Sequence, residues 1–226
     1  MIQNISEWTD RLTALLKEAF QQRLLFVGLQ GSYQRNEATE ESDIDIVAVL
    51  EHLSVEDLDR YQALVRAMPH SEKACGFICG KKELLHWPGY DLFQLAYDTK
   101  PLFGELAPLL KEIRPGDAAE AVRISSANLY HGACHSYLYS ENRGRALADL
   151  YKAVFFILQA KYFYENGNYI SEKKTLLPLL QAEDRQLLDI CLRRKELFCS
   201  PAEEKRCFKL LLQWCGKNLE VYGRIQ

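Results

Sequence analysis

The stretch Gly31-Ser32-Tyr33-Gln34-Arg35-Asn36-Glu37-Ala38-Thr39-Glu40-Glu41-Ser42-Asp43-Ile44-Asp45-Ile46-Val47 leaves this chain few ways to fold. Ahead of it, Leu24-Leu25-Phe26-Val27-Gly28-Leu29 is a continuous apolar run of strand length, stopped by Gly31. Behind it, Ile44 to Leu50 reads as a second strand that carries two aspartates at its start. Successive side chains of a strand point to opposite faces, so Asp43 and Asp45 project together while Ile44 and Ile46 enter the core. Two carboxylates held side by side repel unless a cation lies between them, and hard oxygen ligands suit magnesium. Gly31 lets backbone amides approach a phosphate closely, and Ser32 adds a hydroxyl donor. The polar residues after them begin a short helix whose first amides attract anions, with Arg35 one turn on facing the same anion. The pattern predicts a phosphate-and-metal site.

Around this stretch the chain alternates elements. Residues 6–20 place Trp8, Leu12, Leu15, Leu16, Ala19 and Phe20 at helical intervals behind Ser6 as N-cap. Ser54-Val55-Glu56-Asp57 opens a further helix with Leu58, Tyr61, Leu64 and Val65 as its buried stripe, closed by Pro69. Ala74 to Cys79 reads as a third strand, and Tyr90 to Asp98 as a fourth behind the Pro88-Gly89 turn. Asp91 then stands at the mouth of its strand as Asp43 does in the second, a third carboxylate for the same metals; the alternative is a loop cap after the turn. Asp98, of opposite parity, is a secondary candidate.

From Thr99 to Gly116 the chain is punctuated by Pro101, Pro108 and Pro115, as a connector would be. Beyond it the period changes from strand to helix. Asp117–Tyr139, Arg145–Glu165, Ser171–Leu180, Asp184–Phe198 and Pro201–Tyr222 each repeat apolar residues at three-to-four spacing. The segment from Ala146 to Phe163 is the most apolar and is expected at the centre of a bundle, its Tyr151, Phe155, Phe156, Tyr162 and Tyr164 serving as packing. The expected fold class is α+β, a small mixed-sheet domain (1–100), a connector (101–116) and an all-α helical bundle (117–226).

At 226 residues, 48% hydrophobic, 26% charged and with a net charge of −3, the composition is that of a globular chain and argues against a polyanion binder such as a nucleic-acid-binding protein. No run approaches the roughly 18 apolar residues of a membrane span, and the N-terminus lacks the basic and apolar regions of a signal peptide, so a cytoplasmic location is expected. Seven cysteines (75, 79, 134, 191, 199, 207, 215), an odd count without a dense framework, are expected as reduced thiols. Cys75 and Cys79 lack a second Cys/His pair at zinc-finger spacing. His131 and His135 stand four apart on a helix, but without the Glu of a metalloprotease motif they are expected as exposed helix histidines.

The combination of Gly31-Ser32, ten intervening residues, Asp43-Ile44-Asp45 and a downstream Asp91 resembles the DNA polymerase β-like nucleotidyltransferase superfamily. The order of a minimal catalytic domain and a helical bundle is similar to the kanamycin and streptomycin/spectinomycin nucleotidyltransferases. The resemblance covers residues 20–100 in specific motifs and the remainder in architecture alone. It implies that Asp43 and Asp45 bind Mg²⁺ and the triphosphate of ATP or another NTP, and that Ser32 and the Gly31 backbone hold a terminal phosphate. Asp91 would complete the site as metal ligand or as general base. Two metals about 3.5–4 Å apart would stabilise the attacking oxygen, the α-phosphoryl group and the leaving pyrophosphate. Arg35, with Lys173 and Lys174, would supply positive charge, the lysines because Ser171-Glu172-Lys173-Lys174 loosely resembles a Ser-Lys segment of the streptomycin-type enzymes. The implied acceptor is a hydroxyl of a small molecule, in the kanamycin type a cationic sugar, and relatives of that type often build the cleft as a homodimer. The bundle also resembles, in shape, the HEPN partners of minimal nucleotidyltransferases. The competing reading is therefore an antitoxin-like or nucleotide-binding interaction protein that binds or adenylylates a protein partner. Arg123 is followed by His131 at a gap too long for the HEPN ribonuclease motif, which argues against RNA cleavage.

Overall fold

The computed structural model describes residues 4–197 and 200–224. The chain divides into two units, Met1–Ile113 and Arg114–Gln226. The first contains α1 (Ile5–Phe20), β1 (Leu24–Gln30), α2 (Gly31–Gln34), β2 (Ile44–Leu50), α3 (Val55–Arg66), β3 (Ala74–Gly80), α4 (Lys81–Leu85), α5 (Gly89–Tyr97) and β4 (Lys100–Phe103). The second contains α6 (Pro115–Tyr139), α7 (Arg143–Asn166), α8 (Lys173–Leu176), α9 (Ala182–Leu197) and α10 (Pro201–Tyr222).

The four strands form one mixed sheet in the order β3-β2-β1-β4. β1 pairs antiparallel with β2 and with β4, and β2 pairs parallel with β3. A parallel pair needs a crossover, and α3 supplies it. Both faces of the sheet are covered. On one, Leu24, Val27, Leu29, Ile44, Ile46 and Leu50 meet the α1 stripe of Trp8, Leu12, Leu16 and Phe20. On the other, Phe26, Val47 and Val49 meet Leu84, Leu92, Leu95, Leu106 and Leu109. Burial on both faces explains why β1 and β2 read as continuous apolar runs rather than alternating ones. Each fully buried aliphatic side chain here contributes about 1.5–3 kcal/mol of transfer free energy.

Local signals set the helix ends. The Asn4 side chain, not that of Ser6, caps α1 by accepting from the Glu7 amide at 3.2 Å. The Ser54–Asp57 capping box expected for α3 is present in both directions. In the second unit, α7 packs on α6, α9 and α10, which places the most apolar segment at the centre of the helices. Tyr151 and Phe155 are fully buried there. Polar ties fix the packing: the Tyr151 hydroxyl donates to the Cys207 carbonyl at 3.0 Å, Trp214 Nε1 to Asp184 at 2.7 Å and the Asn218 amide to Ser126 at 3.1 Å. Asn142 caps α7, and Gly167, at φ 74°, ends it.

Three expectations are corrected. Tyr90 to Asp98 is not a strand but α5, whose Leu92, Phe93 and Leu95 are buried at helical spacing behind Pro88. A nine-residue apolar run beside a turn fits either period, and here the helical face meets the sheet. The fourth strand is instead β4, inside the stretch expected as connector; Leu106 and Leu109, from that same stretch, belong to the core of the first unit. The segment from Ser171 to Leu180 holds only α8 and a single 3-10 turn at Leu177–Leu179. Phe198, the expected end of α9, and Cys199 lie outside the described residues. The other six cysteines are free thiols, and His131 and His135 are exposed on α6.

Candidate active site

The Gly-Ser turn and the two aspartates meet because β1 and β2 are antiparallel neighbours, with Gln30 at the end of β1 opposite Asp45 at the start of β2. Gly31 then takes φ 71°, a left-handed conformation that costs glycine nothing. A Cβ on Gly31 would stand 1.9 Å from Asp45 Oδ2, so the carboxylate occupies the space that the missing side chain leaves. The turn closes on itself. The Arg35 amide donates to the Gly31 carbonyl at 3.2 Å, and the Glu37 amide to the Ser32 carbonyl at 2.8 Å. Past it, the Thr39 amide donates to Ser42 Oγ at 2.8 Å, and Lys73 Nζ donates to the Glu40 carbonyl, holding the run into β2.

Asp43 is exposed and Asp45 half-buried. Burial pushes the Asp45 carboxyl above the usual carboxylate range, the Asp43 charge adds to the rise, and the Arg35 guanidinium opposes it. A hard dication would relieve the repulsion between the two carboxylates. Magnesium is commonly held by one or two carboxylates together with substrate phosphates, so this donor set fits it. Asp45 is also in register with Cys75 of β3, an exposed thiol beside the acid pair that no sequence motif marks.

Arg35, expected one turn on and facing the same anion as Gly31 and Ser32, is drawn inward. It is 6% exposed; its guanidinium donates to Asp98, and its Nε lies 3.5 Å from Glu37. Asp98, 2% exposed, caps the C-terminal end of α5. The secondary acid of the sequence thus turns out to be the partner of Arg35.

Asp91 is not gathered with the other two acids. It is exposed in the first turn of α5 and accepts from Trp87 Nε1 at 3.1 Å. The strand that would have pointed it at the site is a helix, and Asp91 stands about 10 Å along the axis from the α5 end that meets Arg35. Among the described residues no group of three or more His, Cys, Asp or Glu is placed to hold a metal.

In the second unit, Lys173 is half-buried with its Nζ 4.3 Å from the centre of the Phe155 ring, and Lys174 is exposed. The approach to α8 is fixed by Gln159, whose amide donates to the Ile170 carbonyl at 2.8 Å and to that of Ser171 at 3.4 Å.

Residues 13–93 match the family model of the nucleotidyltransferase domain, a span that holds β1, the Gly-Ser turn and both aspartates of β2. No curated protein matches the chain in sequence. Among solved structures, it is similar to spectinomycin adenyltransferase from Enterococcus faecialis, crystallised with ATP and spectinomycin. The TM-score is 0.59 at 16% identity, over 95% of this chain and 98% of that one, a likeness of fold.

Proposed function

We propose, on the premise that this chain carries a nucleotidyltransferase domain of the DNA polymerase β-like superfamily, that it is a magnesium-dependent enzyme moving a nucleoside monophosphate, AMP from ATP, to a hydroxyl of a small-molecule acceptor of aminoglycoside-like chemistry. The observation that carries this reading is that the Asp45 carboxylate fills the space a Gly31 side chain would take, which sets the glycine turn against the pair of acids.

In this reading Asp43 and Asp45 hold the magnesium. The ion supplies charge neutralisation at the α-phosphoryl group and the leaving pyrophosphate. The Gly31 turn amides and the Ser32 hydroxyl donate to a phosphate of the donor. Asp91 is left out of the metal set because of its place on α5. The polycationic nature of an aminoglycoside-like acceptor suits a protein of net charge −3. A cytoplasmic homodimer belongs to the same proposal. No helix among the described residues is long and apolar enough to cross a membrane.

The test is a nucleotide and acceptor panel read by mass. The expected product is an acceptor heavier by one nucleoside monophosphate, with pyrophosphate released only when Mg²⁺ is present. Asp43→Ala and Asp45→Ala should each lower the rate by about 10²–10³-fold or more, the scale seen when a charge-stabilising group is lost. Full pyrophosphate release by both variants would exclude the site. Nucleotide binding with no transfer to any acceptor, and a protein that co-purifies, would instead favour the antitoxin-like reading.

A further inference from the structure

The buried pair Arg35–Asp98 lies outside the acid pair yet is built into the same turn. Arg35 directly follows α2, and its amide is bonded to the Gly31 carbonyl. Asn36, next in the chain, takes the left-handed φ of 56° that asparagine tolerates. The other partner is anchored independently. Asp98 donates its amide to the Gln94 carbonyl at 2.9 Å and ends a helix whose Leu92, Phe93 and Leu95 are buried. Two residues later Lys100 pairs with Leu29 of β1, and Leu29 is two residues before Gly31. The chain therefore closes a ring: from β1 through the turn to Arg35, across the ion pair to Asp98, and through β4 back to β1. Glu37, on the far side of the turn, approaches the same guanidinium at 3.5 Å.

A buried ion pair is a poor source of net stability, because desolvating both charges offsets their attraction. What it supplies is position, since a buried charge is costly where no opposite charge meets it. The backbone that Arg35 belongs to at that point is the turn between Gly31 and Glu37.

We infer that Asp98 is a positioning residue that, through Arg35, fixes the Gly31–Glu37 turn in the conformation that receives a phosphate of the donor. Arg35 then serves the turn rather than the phosphate directly. The inference rests on the proposed nucleotidyltransferase reading for its ligand, but its first readout needs no ligand.

The experiment uses the full chain with three changes: Asp98→Asn, Asp98→Ala, and the paired replacement Arg35→Met with Asp98→Leu. Amide hydrogen exchange over residues 31–37 is measured without nucleotide, and KM for ATP and kcat with Mg²⁺. Asp98→Asn is expected to speed exchange in the turn about tenfold or more while leaving α3 and the centre of β2 as protected as before. KM should rise by about 10–100-fold, the usual penalty for losing a supporting group behind a ligand site, with kcat at saturation within about twofold. If single changes prevent folding, the paired apolar replacement decides, since it removes both charges of the Arg35–Asp98 pair together. Folded and as heat-stable as the parent, it should still show the loose turn and the raised KM. Native exchange and native KM in a folded variant would overturn the inference. A parent protein that binds no ATP would instead sink the proposed function, and turn exchange in Asp98→Asn would then decide the positioning role by itself.

Discussion

Gly31 shows how one residue type can make a site. Its left-handed φ and the 1.9 Å that would separate a Cβ from Asp45 Oδ2 are independent reasons why no other residue fits there. Gly31→Ala is expected to cost about 1–2 kcal/mol from the backbone alone, as for any L-residue forced into this region. The added methyl must also push the Asp45 carboxylate aside, so nucleotide affinity should fall more than stability does. Calorimetric titration with Mg·ATP beside a melting curve separates the two. Equal affinity in the alanine variant would mean that the turn and the acid pair do not act together. The turn at Gly31 and its closeness to Asp45 were legible in sequence because the signals are local: a turn that needs glycine and an acid at the start of the next strand. The Arg35–Asp98 pair was not, because its members are 63 positions apart and meet only when α5 ends beside the turn.

At the scale of elements, legibility followed burial. β1 and β2 were readable because both of their faces are covered, and α3 because its capping box is written in four consecutive residues. α5 was misread since Tyr90 to Asp98 is apolar at both periods, and only the sheet beneath it selects the helix. That misreading carried Asp91 into the wrong place. The start of α3 also bears a pH-sensitive tie. Asp57 closes the capping box and accepts from Arg23 at 2.6 Å and 2.9 Å through its two oxygens, and Arg23 also lies 3.1 Å from His52. The hydrogen bond from Arg23 holds the Asp57 carboxyl far below the usual carboxylate range, outweighing the effect of burial. A carboxyl depressed in the folded state stabilises the fold above its unfolded pKa of about 3.9, and that contribution fades as pH falls below it. Asp57→Asn should therefore lower the urea midpoint at pH 7, partly by the loss of about 0.5–2 kcal/mol typical of a helix cap. The gap between parent and variant should narrow towards pH 3. A gap that stays constant across this range would show that the Asp57 charge contributes nothing.

At the scale of the molecule, each unit closes its own core. The two clusters that cover the sheet are drawn wholly from Met1–Ile113, and they include the residues after β4 that looked like a linker. Truncation at the expected boundary, after residue 100, would remove most of β4 together with Leu106 and Leu109, and so leave β1 with an open edge and one face of the sheet partly bare. Truncation after Ile113 keeps all of these. A fragment of residues 1–113 is expected to fold, with the far-UV signal of a mixed sheet and helices and a cooperative melt, whereas 1–100 is expected to aggregate or stay unfolded. The longer fragment also retains Gly31, Ser32, Asp43, Asp45 and the Arg35–Asp98 pair. Ligand that binds only the folded state adds stability as RT ln(1 + [L]/Kd), about 2.7 kcal/mol at a hundredfold excess over Kd. For a unit of this size that corresponds to a rise in Tm on the order of 10 °C. Mg·ATP should produce such a shift in the fragment, and ATP with a chelator should produce much less. A fragment that folds without responding would show that Gly31, Ser32, Asp43 and Asp45 do not suffice to bind the donor. A 1–113 fragment with no cooperative melt would show that the sheet needs more than the contacts within its own unit.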